Sequence, residues 1–209
     1  KFWNEFHKKI ILGFNNYSLP VIQMTKENPK EAVCQVFEKV NTGGVSLSVF
    51  ELLTATFASE EFDLKEDWAN INSRFKPYKV LDKTSEIDFI QAVTLVSTYR
   101  KKINQDLLAQ KDNIPAVSAK RKEMLNLELT DYLKYKDQVA EGLIKASKIL
   151  VENHIFHSRD VPYTTQLVPM SAILSQLGKE IENVGNKNKL MQWFWCGVFG
   201  ELYGSANET

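Results

Sequence analysis

The sequence has few cysteines and no excess of charge. Only Cys34 and Cys196 occur among 209 residues, and both fall in segments with the apolar periodicity of helices. We therefore expect two buried, reduced thiols in a cytosolic protein. Lys plus Arg (26) equals Asp plus Glu (26), so no net field draws the whole chain to nucleic acid or to an acidic membrane. Any such contact must come from a local patch.

Long apolar runs and secretory patterns are also missing. No stretch reaches the roughly 18 to 20 uncharged apolar residues that span a bilayer, and Lys1–Lys9 lacks the apolar core of a signal peptide. We expect a cytoplasmic protein without a membrane partner. Because the chain begins at Lys1 and not at Met, we also expect a piece of a longer protein, whose remainder is its first partner.

Enzyme signatures are scarce. The sequence contains no Walker loop, dinucleotide fingerprint, paired-Cys zinc spacing or nucleophile elbow. His154 and His157 have a spacing that places two imidazoles on one helix face, but a metal site needs at least one more ligand. We interpret them as residues that end a helix and predict no metal site. The chain alone is not expected to hold a complete catalytic site.

The apolar pattern predicts a mainly α fold, a helical bundle with a short N-terminal α+β element. A helix is expected over Phe2–Leu12, and one strand over Tyr17–Met24, where β-branched residues follow Pro20. Asn28 and Pro29 begin a helix that runs to about Val40. Later helices are predicted at Asp63–Phe75, Ser85–Lys102, Ser118–Tyr135, Asp137–Asn153, Thr164–Glu182 and Asn186–Tyr203.

The segment Asn41–Glu51 concentrates polar residues and glycines between two apolar helices. Gly43 and Gly44 permit close approach of the backbone, and Ser46 is expected to cap the next helix. Backbone N–H groups at such a helix start can bind phosphate or carboxylate. The side chains of Asn41, Thr42, Ser46 and Glu51 could add contacts. An equally good interpretation is a connection between helices that needs only glycine and a cap.

Charge is uneven along the chain. The stretch Arg100–Lys122 holds seven basic residues against Asp106 and Asp112. Lys101, Lys102, Lys120 and Arg121 are candidates for contact with DNA phosphates, and the same patch could instead bind a partner protein. The alternative is a solvated helix face with its flanking loop, since aromatic interleaving and a nucleic-acid motif are both missing.

The motif Phe37-Glu-Lys-Val-Asn41-Thr-Gly-Gly-Val-Ser-Leu47-Ser-Val-Phe-Glu51-Leu-Leu resembles the second motif of the domain-of-unknown-function family 262, which includes the N-terminal part of GmrSD-type modification-dependent restriction endonucleases. Leu19-Pro-Val-Ile22 resembles the strand before that motif. Tyr163-Thr-Thr-Gln-Leu-Val-Pro-Met and Trp193-Phe-Trp with Phe199-Gly-Glu-Leu-Tyr203 resemble its later helical blocks. The resemblance therefore covers nearly the whole chain.

The resemblance implies a ParB/sulfiredoxin-like nucleotide-binding domain, of which residues 1–58 are the C-terminal portion, and a helical domain over residues 59–209. It implies a nucleoside triphosphate with Mg²⁺ as cofactor, which this fragment alone is not expected to retain, and a role in restriction and phage defence. By analogy, Asn41, Ser48 and Glu51 lie beside the nucleotide. The family's first motif, Asp-Gly-Gln-Gln-Arg, and its frequent C-terminal His-Asn-His nuclease do not occur here. Cys196-Gly197 stands where relatives often carry a basic residue.

Overall fold

The structure is a computed structural model in which residues 2–18, 47–107 and 116–204 are described. Within these ranges the chain is helical and contains no strand, which confirms the predicted mainly α class. The α-helices are α1 (Phe2–Phe6), α2 (Leu12–Asn15), α3 (Val49–Ala58), α4 (Leu64–Ser73), α5 (Glu86–Leu107), α6 (Arg121–Leu125), α7 (Leu129–Glu152), α8 (Leu167–Leu177) and α9 (Val184–Phe199). A π-helical segment, His7–Ile11, joins α1 to α2. The 3-10 turns are Lys79–Leu81, Ser158–Asp160, Thr164–Gln166 and Glu180–Glu182.

The long helix α7 lies at the centre of the bundle and packs against α5 and α8. Its buried residues recur every three or four positions, as at Tyr132, Tyr135, Val139 and Leu143. Side chains with this spacing share one face of a helix, so α7 can bury a continuous apolar surface between its two neighbours. The described core is accordingly one connected cluster that runs from Val49 to Phe194.

Two helix boundaries differ from the sequence-based predictions. The break predicted between Tyr135 and Asp137 is wrong, because α7 continues through both residues. The chain instead leaves helical geometry at Asn126–Glu128, where Leu127 is buried in the core. The helix predicted over Thr164–Glu182 ends at Gly178, whose φ of +54° is left-handed. A glycine at this position is a common C-terminal signal.

The N-terminal helix is present, but it is not buried. Residues 2–18 are exposed except for Ile11, which is half-buried. The predicted strand Tyr17–Met24 falls almost entirely on residues outside the described part, and so does the helix predicted to start at Asn28. The ParB-like α+β element therefore stays a prediction.

Helix α3 belongs to the same core as the later helices. Phe50, Leu53 and Phe57 are buried, and the helix contacts α4, α5 and α6. The predicted division after residue 58 stays a prediction; α3 lies on its N-terminal side and packs against helices on its C-terminal side.

The aromatic helix α9 is partly buried. Phe194 lies in the core, whereas Trp193 and Trp195 on either side are half-buried against it. This part of α9 therefore contributes to the core. Cys196 is a free, exposed thiol, so its predicted burial is wrong. It follows Phe194 by two positions on the helix, which turns it away from the core face.

Candidate functional site

The start of α3 is fixed by a reciprocal pair of hydrogen bonds between Ser48 and Glu51. The Ser48 hydroxyl accepts the Glu51 backbone N–H (3.2 Å), and a Glu51 carboxylate oxygen accepts the Ser48 backbone N–H (2.7 Å). This is a capping box, which satisfies two N–H groups that the first helical turn leaves free. The predicted cap, Ser46, is therefore wrong, since Ser48 occupies the N-cap position.

The same contacts decide what Glu51 can do chemically. Its hydrogen bond to the Ser48 backbone N–H, together with the Ser48 side chain, lowers the pKa of the Glu51 carboxyl. Glu51 is exposed and ionised at neutral pH, and only its second oxygen is left for another donor or a hydrated cation. These two residues thus have a structural role that is complete without a ligand. Asn41, Thr42, Gly43, Gly44 and Ser46 lie outside the described residues.

The four basic candidates lie on two neighbouring segments. The Thr98 hydroxyl donates to the Ser118 carbonyl and accepts from the Ser118 backbone N–H, both at 3.2 Å. This contact ties α5, one turn before Lys101 and Lys102, to the segment that leads into Lys120 and Arg121. Lys120 and Arg121 are exposed, and Lys102 is half-buried.

Lys101 is already paired within the chain. Its ammonium group lies 2.8 Å from a carboxylate oxygen of Asp131, and that oxygen also accepts the buried Ser97 hydroxyl at 2.7 Å. Burial acts against the charged amine, but the hydrogen bond and the attraction of Asp131 outweigh it and raise the pKa of Lys101. The positive charge is thus balanced locally, and Lys101 contributes less to an outward field than the sequence suggested.

A polar cluster around Asp67 was not predicted. One carboxylate oxygen accepts the Tyr132 hydroxyl at 2.7 Å, and the other pairs with Lys136, whose ammonium group lies over the Phe62 and Tyr132 rings. Burial, followed by the bond to Asp67, strongly raises the pKa of Tyr132. Because every member has a partner, we interpret this cluster as a structural contact that joins α4 to α7.

An apolar groove of about 360 Å³ lies between α5 and α8. Tyr99, Ile173 and Val117 line it and are exposed, and its floor includes the small side chain of Ala172. A polar side chain, Gln176, also reaches it. No sequence pattern marked this groove, because each lining residue fits the ordinary apolar periodicity of its own helix.

Within the described residues, His154 and His157 belong to no group of metal ligands. His154 follows the end of α7 with a left-handed φ of +66°, as expected for a residue that ends a helix. The His157 ring instead lies 3.2 Å from an Asp160 oxygen. Across residues 2–18, 47–107 and 116–204, no three His, Cys, Asp or Glu side chains are grouped closely enough to hold a metal ion. In the same ranges, no helix has the length and apolar character of a membrane span.

Comparison with known proteins finds a distant relative. No family model matches the chain, and no solved structure matches it. An uncharacterized protein of Methanocaldococcus jannaschii is 24% identical over 92% of this chain. The alignment spans 31% of that protein, so the chain matches about a third of its length. The relative's name assigns no activity.

Proposed function

We propose that this chain is the helical scaffold of a larger, nucleotide-dependent defence protein of the GmrSD-like type. In this proposal residues 1–58 complete a ParB-like domain, residues 59–209 form the helical domain, and Asn41–Glu51 contribute part of the pocket for a nucleoside triphosphate with Mg²⁺. The observation that carries it is the capped start of α3, where Glu51 is exposed, directly after the segment that holds Gly43 and Gly44. The resemblance of that segment and the greater length of the archaeal relative give further support.

In this proposal the chain contains only part of the nucleotide pocket. The family's first motif is missing, so the remainder of the larger protein must supply the other part of the pocket. Asn41 would contribute an amide and Glu51 its remaining oxygen. The scaffold alone is expected to show no nucleotide hydrolysis. Hydrolysis by the 209-residue chain would therefore contradict the incomplete pocket.

Calorimetry with Mg-ATP and Mg-GTP tests the proposal on the 209-residue chain and on the full-length protein. Asn41→Ala should abolish binding by the full-length protein. Ser48→Asp should do the same without loss of thermal stability, because Asp caps a helix as well as Ser but repels a phosphate. Ser48→Thr is the matched control, which keeps both the cap and the hydroxyl. If both variants still bind the nucleotide, the segment Asn41–Glu51 has a purely structural role.

A second candidate function is DNA binding by the helical part without a nucleotide. The bond between Thr98 and Ser118 favours it, because that bond holds the turn after Thr98 near Lys120 and Arg121. Phosphate contacts make affinity fall steeply with salt, with a slope of about −0.9 per neutralised phosphate.

Fluorescence anisotropy with duplex DNA at several salt concentrations tests this candidate. Charge reversal at Lys102, Lys120 and Arg121 should weaken binding and reduce the salt slope by about one for each phosphate that is no longer neutralised. Reversal of Lys101 should have a smaller effect than reversal of Lys120, since Asp131 already pairs with Lys101. Lys76 and Lys83 are exposed elsewhere and serve as controls. Equal effects of both sets would indicate nonspecific attraction only.

A further inference from the structure

The groove between α5 and α8, called the α5/α8 groove below, has the size of a small-molecule site. Its volume of about 360 Å³ lies at the lower end of the roughly 300–1,000 Å³ that is usual for such sites. Among its lining residues, Tyr99 of α5, Ile173 of α8 and Val117 are partly exposed, so the groove is open to solvent. The small side chain of Ala172 leaves space between them. A compact apolar group can therefore enter.

Two cationic side chains flank this groove on α5. Lys102 follows the lining residue Tyr99 by three positions, and Arg100 follows the lining residue Val96 by four. Side chains at these spacings are neighbours on a helix surface, with Cβ atoms about 5–6 Å apart. Arg100 and Lys102 therefore lie beside the groove, in the turn of α5 that follows its last lining residue.

Neither cation has a partner within the described part of the chain. Lys101, which lies between them in sequence, pairs with Asp131, whereas Arg100 and Lys102 form no hydrogen bond or ion pair there. Both side chains are half-buried, so each is partly desolvated. The buried polar side-chain atoms that lack a partner in the same ranges belong to other residues, so the charged nitrogens of Arg100 and Lys102 are accessible to an anion.

We propose that the α5/α8 groove binds a small amphipathic acid, whose apolar chain or ring fills the groove and whose carboxylate is held by Arg100 and Lys102. A guanidinium group can donate two parallel N–H bonds to one carboxylate, and an ammonium group can add a third. The stretch Arg100–Lys122, with seven basic residues against Asp106 and Asp112, attracts an anion to the same end of α5. None of these residues belongs to the proposed nucleotide pocket, so either site can exist without the other.

The apolar part of the ligand distinguishes this site from a site for DNA phosphates. Burial of each methylene group should strengthen binding by about fourfold until the groove is full. A DNA backbone has no such chain and would leave Ile173 and Val117 in contact with water. Lys102 is shared between this site and the DNA candidate, but the groove residues are not.

Titration of the full chain, followed by two-dimensional ¹H–¹⁵N NMR, tests the site with hexanoate, 1-hexanol and hexylamine. These probes share one six-carbon chain and differ in the charge of the head group. Hexanoate should shift the amide signals of Tyr99, Val117 and Ile173, and it should bind about tenfold more tightly than hexanol. Hexylamine should bind most weakly, and butanoate should bind at least about tenfold more weakly than hexanoate. No shift at these three residues, or equal affinity for the three head groups, would overturn the proposal.

Substitution of the two cations tests how the carboxylate is held. Arg100→Gln combined with Lys102→Gln should weaken hexanoate binding by about tenfold and leave hexanol binding unchanged. Lys76→Gln combined with Lys83→Gln is the matched control, since both lysines are exposed elsewhere. An equal loss for hexanoate and hexanol would show that Arg100 and Lys102 do not hold the carboxylate.

Substitution in the groove tests where the apolar chain lies. Ile173→Glu should abolish binding of both hexanoate and hexanol, because it places a carboxylate in the groove, but it should leave DNA binding unchanged. Phe199→Glu is the matched control, because Phe199 is exposed on α9, and thermal scans of both variants check the fold. Hexanoate binding that survives Ile173→Glu would show that surface cations alone attract the acid. Binding to phosphatidylglycerol vesicles without binding of free hexanoate would assign the groove to a membrane surface instead and overturn the proposal.

Discussion

Gly142 of α7 lies so close to the backbone of Ser171 in α8 that a methyl group on its Cα would overlap the Ser171 carbonyl oxygen and lie 3.2 Å from the carbonyl carbon. The obstruction is backbone, which cannot move aside as a side chain can. Gly142→Ala should therefore force the two central helices apart and lower the free energy of unfolding by about 1–3 kcal/mol. Urea denaturation measures the change.

Gly13→Ala is the matched control for that substitution. Gly13 lies in α2 with no atom near the position of an added Cβ. Alanine favours a helix over glycine, so this variant should be neutral or slightly more stable. A loss as large as that of Gly142→Ala would show that the crossing of α7 and α8 is not the cause.

The Asp131 carboxylate should make the fold sensitive to acid. Burial acts to raise its pKa, but the hydrogen bonds from Lys101 and Ser97 outweigh this and hold the pKa of Asp131 below its usual value. A lowered folded-state pKa gives stability that is present above about pH 4 and is lost as the pH falls through the folded-state pKa. Asp131→Asn should cost about 1–2 kcal/mol at pH 7, since Lys101 stays partly solvated.

The measurement for Asp131 is urea denaturation at pH 7, 4 and 3. The variant should lose less stability than the unaltered chain between pH 4 and 3. Glu141→Gln is the comparison, because Glu141 forms an exposed ion pair with Arg74. If the free energy of unfolding fell equally with pH in all three chains, the lowered pKa of Asp131 would be contradicted.

Tyr132 should make the stability of the fold decrease at high pH. Its pKa is raised by burial and by the bond to Asp67, so the folded state keeps the phenol proton when the unfolded chain has lost it. Stability is therefore fully present below about pH 10 and declines as the pH rises beyond it. Absorbance titration at 295 nm should show tyrosine ionisation held back in the native state of the unaltered chain relative to urea, with contributions from Tyr132 and from Tyr203, whose pKa is also raised by burial. Tyr132→Phe should reduce that difference and cost about 1 kcal/mol at pH 7.

His154 stores a small amount of backbone strain. Its φ of +66° is left-handed and follows the end of α7, where glycine is the preferred residue. His154→Gly should raise the thermal midpoint and increase the free energy of unfolding by up to about 1 kcal/mol. His157→Gly should lower it, since His157 has an extended backbone and its ring, which lies 3.2 Å from an Asp160 oxygen, would be lost. Calorimetric scans of both variants decide between these directions, and a loss for His154→Gly would contradict the strain.

Local patterns in the sequence predicted the helices well and their boundaries less well. Apolar periodicity located α5 and α9 because each buries a face of its own, as at Phe89 and Phe194. It could not find the break at Asn126–Glu128, which depends on Leu127 reaching the core. Gly178 is a typical residue at the end of a helix, but apolar residues continue beyond it, so periodicity alone predicts a helix that is too long.

The candidate sites depend on contacts between distant residues, which a sequence pattern does not record. Lys101 looks like a solvated cation until α7 places Asp131 beside it. Ser48 and Glu51 have the spacing of a capping box, and they form one. The family resemblance instead predicts that both residues lie beside a nucleotide. The α5/α8 groove combines residues from two helices and from Val117, so it exists only in the folded chain.

Gly197 lies against the buried side chain of Gln166, whose amide N–H bonds to the Phe194 carbonyl at 3.0 Å; an added Cβ would be 2.6 Å from that nitrogen and 3.0 Å from the Tyr203 ring. A basic residue cannot enter at this position while Gln166 and Tyr203 remain where they are. A homologous chain with a larger residue at position 197 is therefore expected to differ at position 166 or 203 as well. Covariation of these three positions in an alignment of homologous sequences would test the contact.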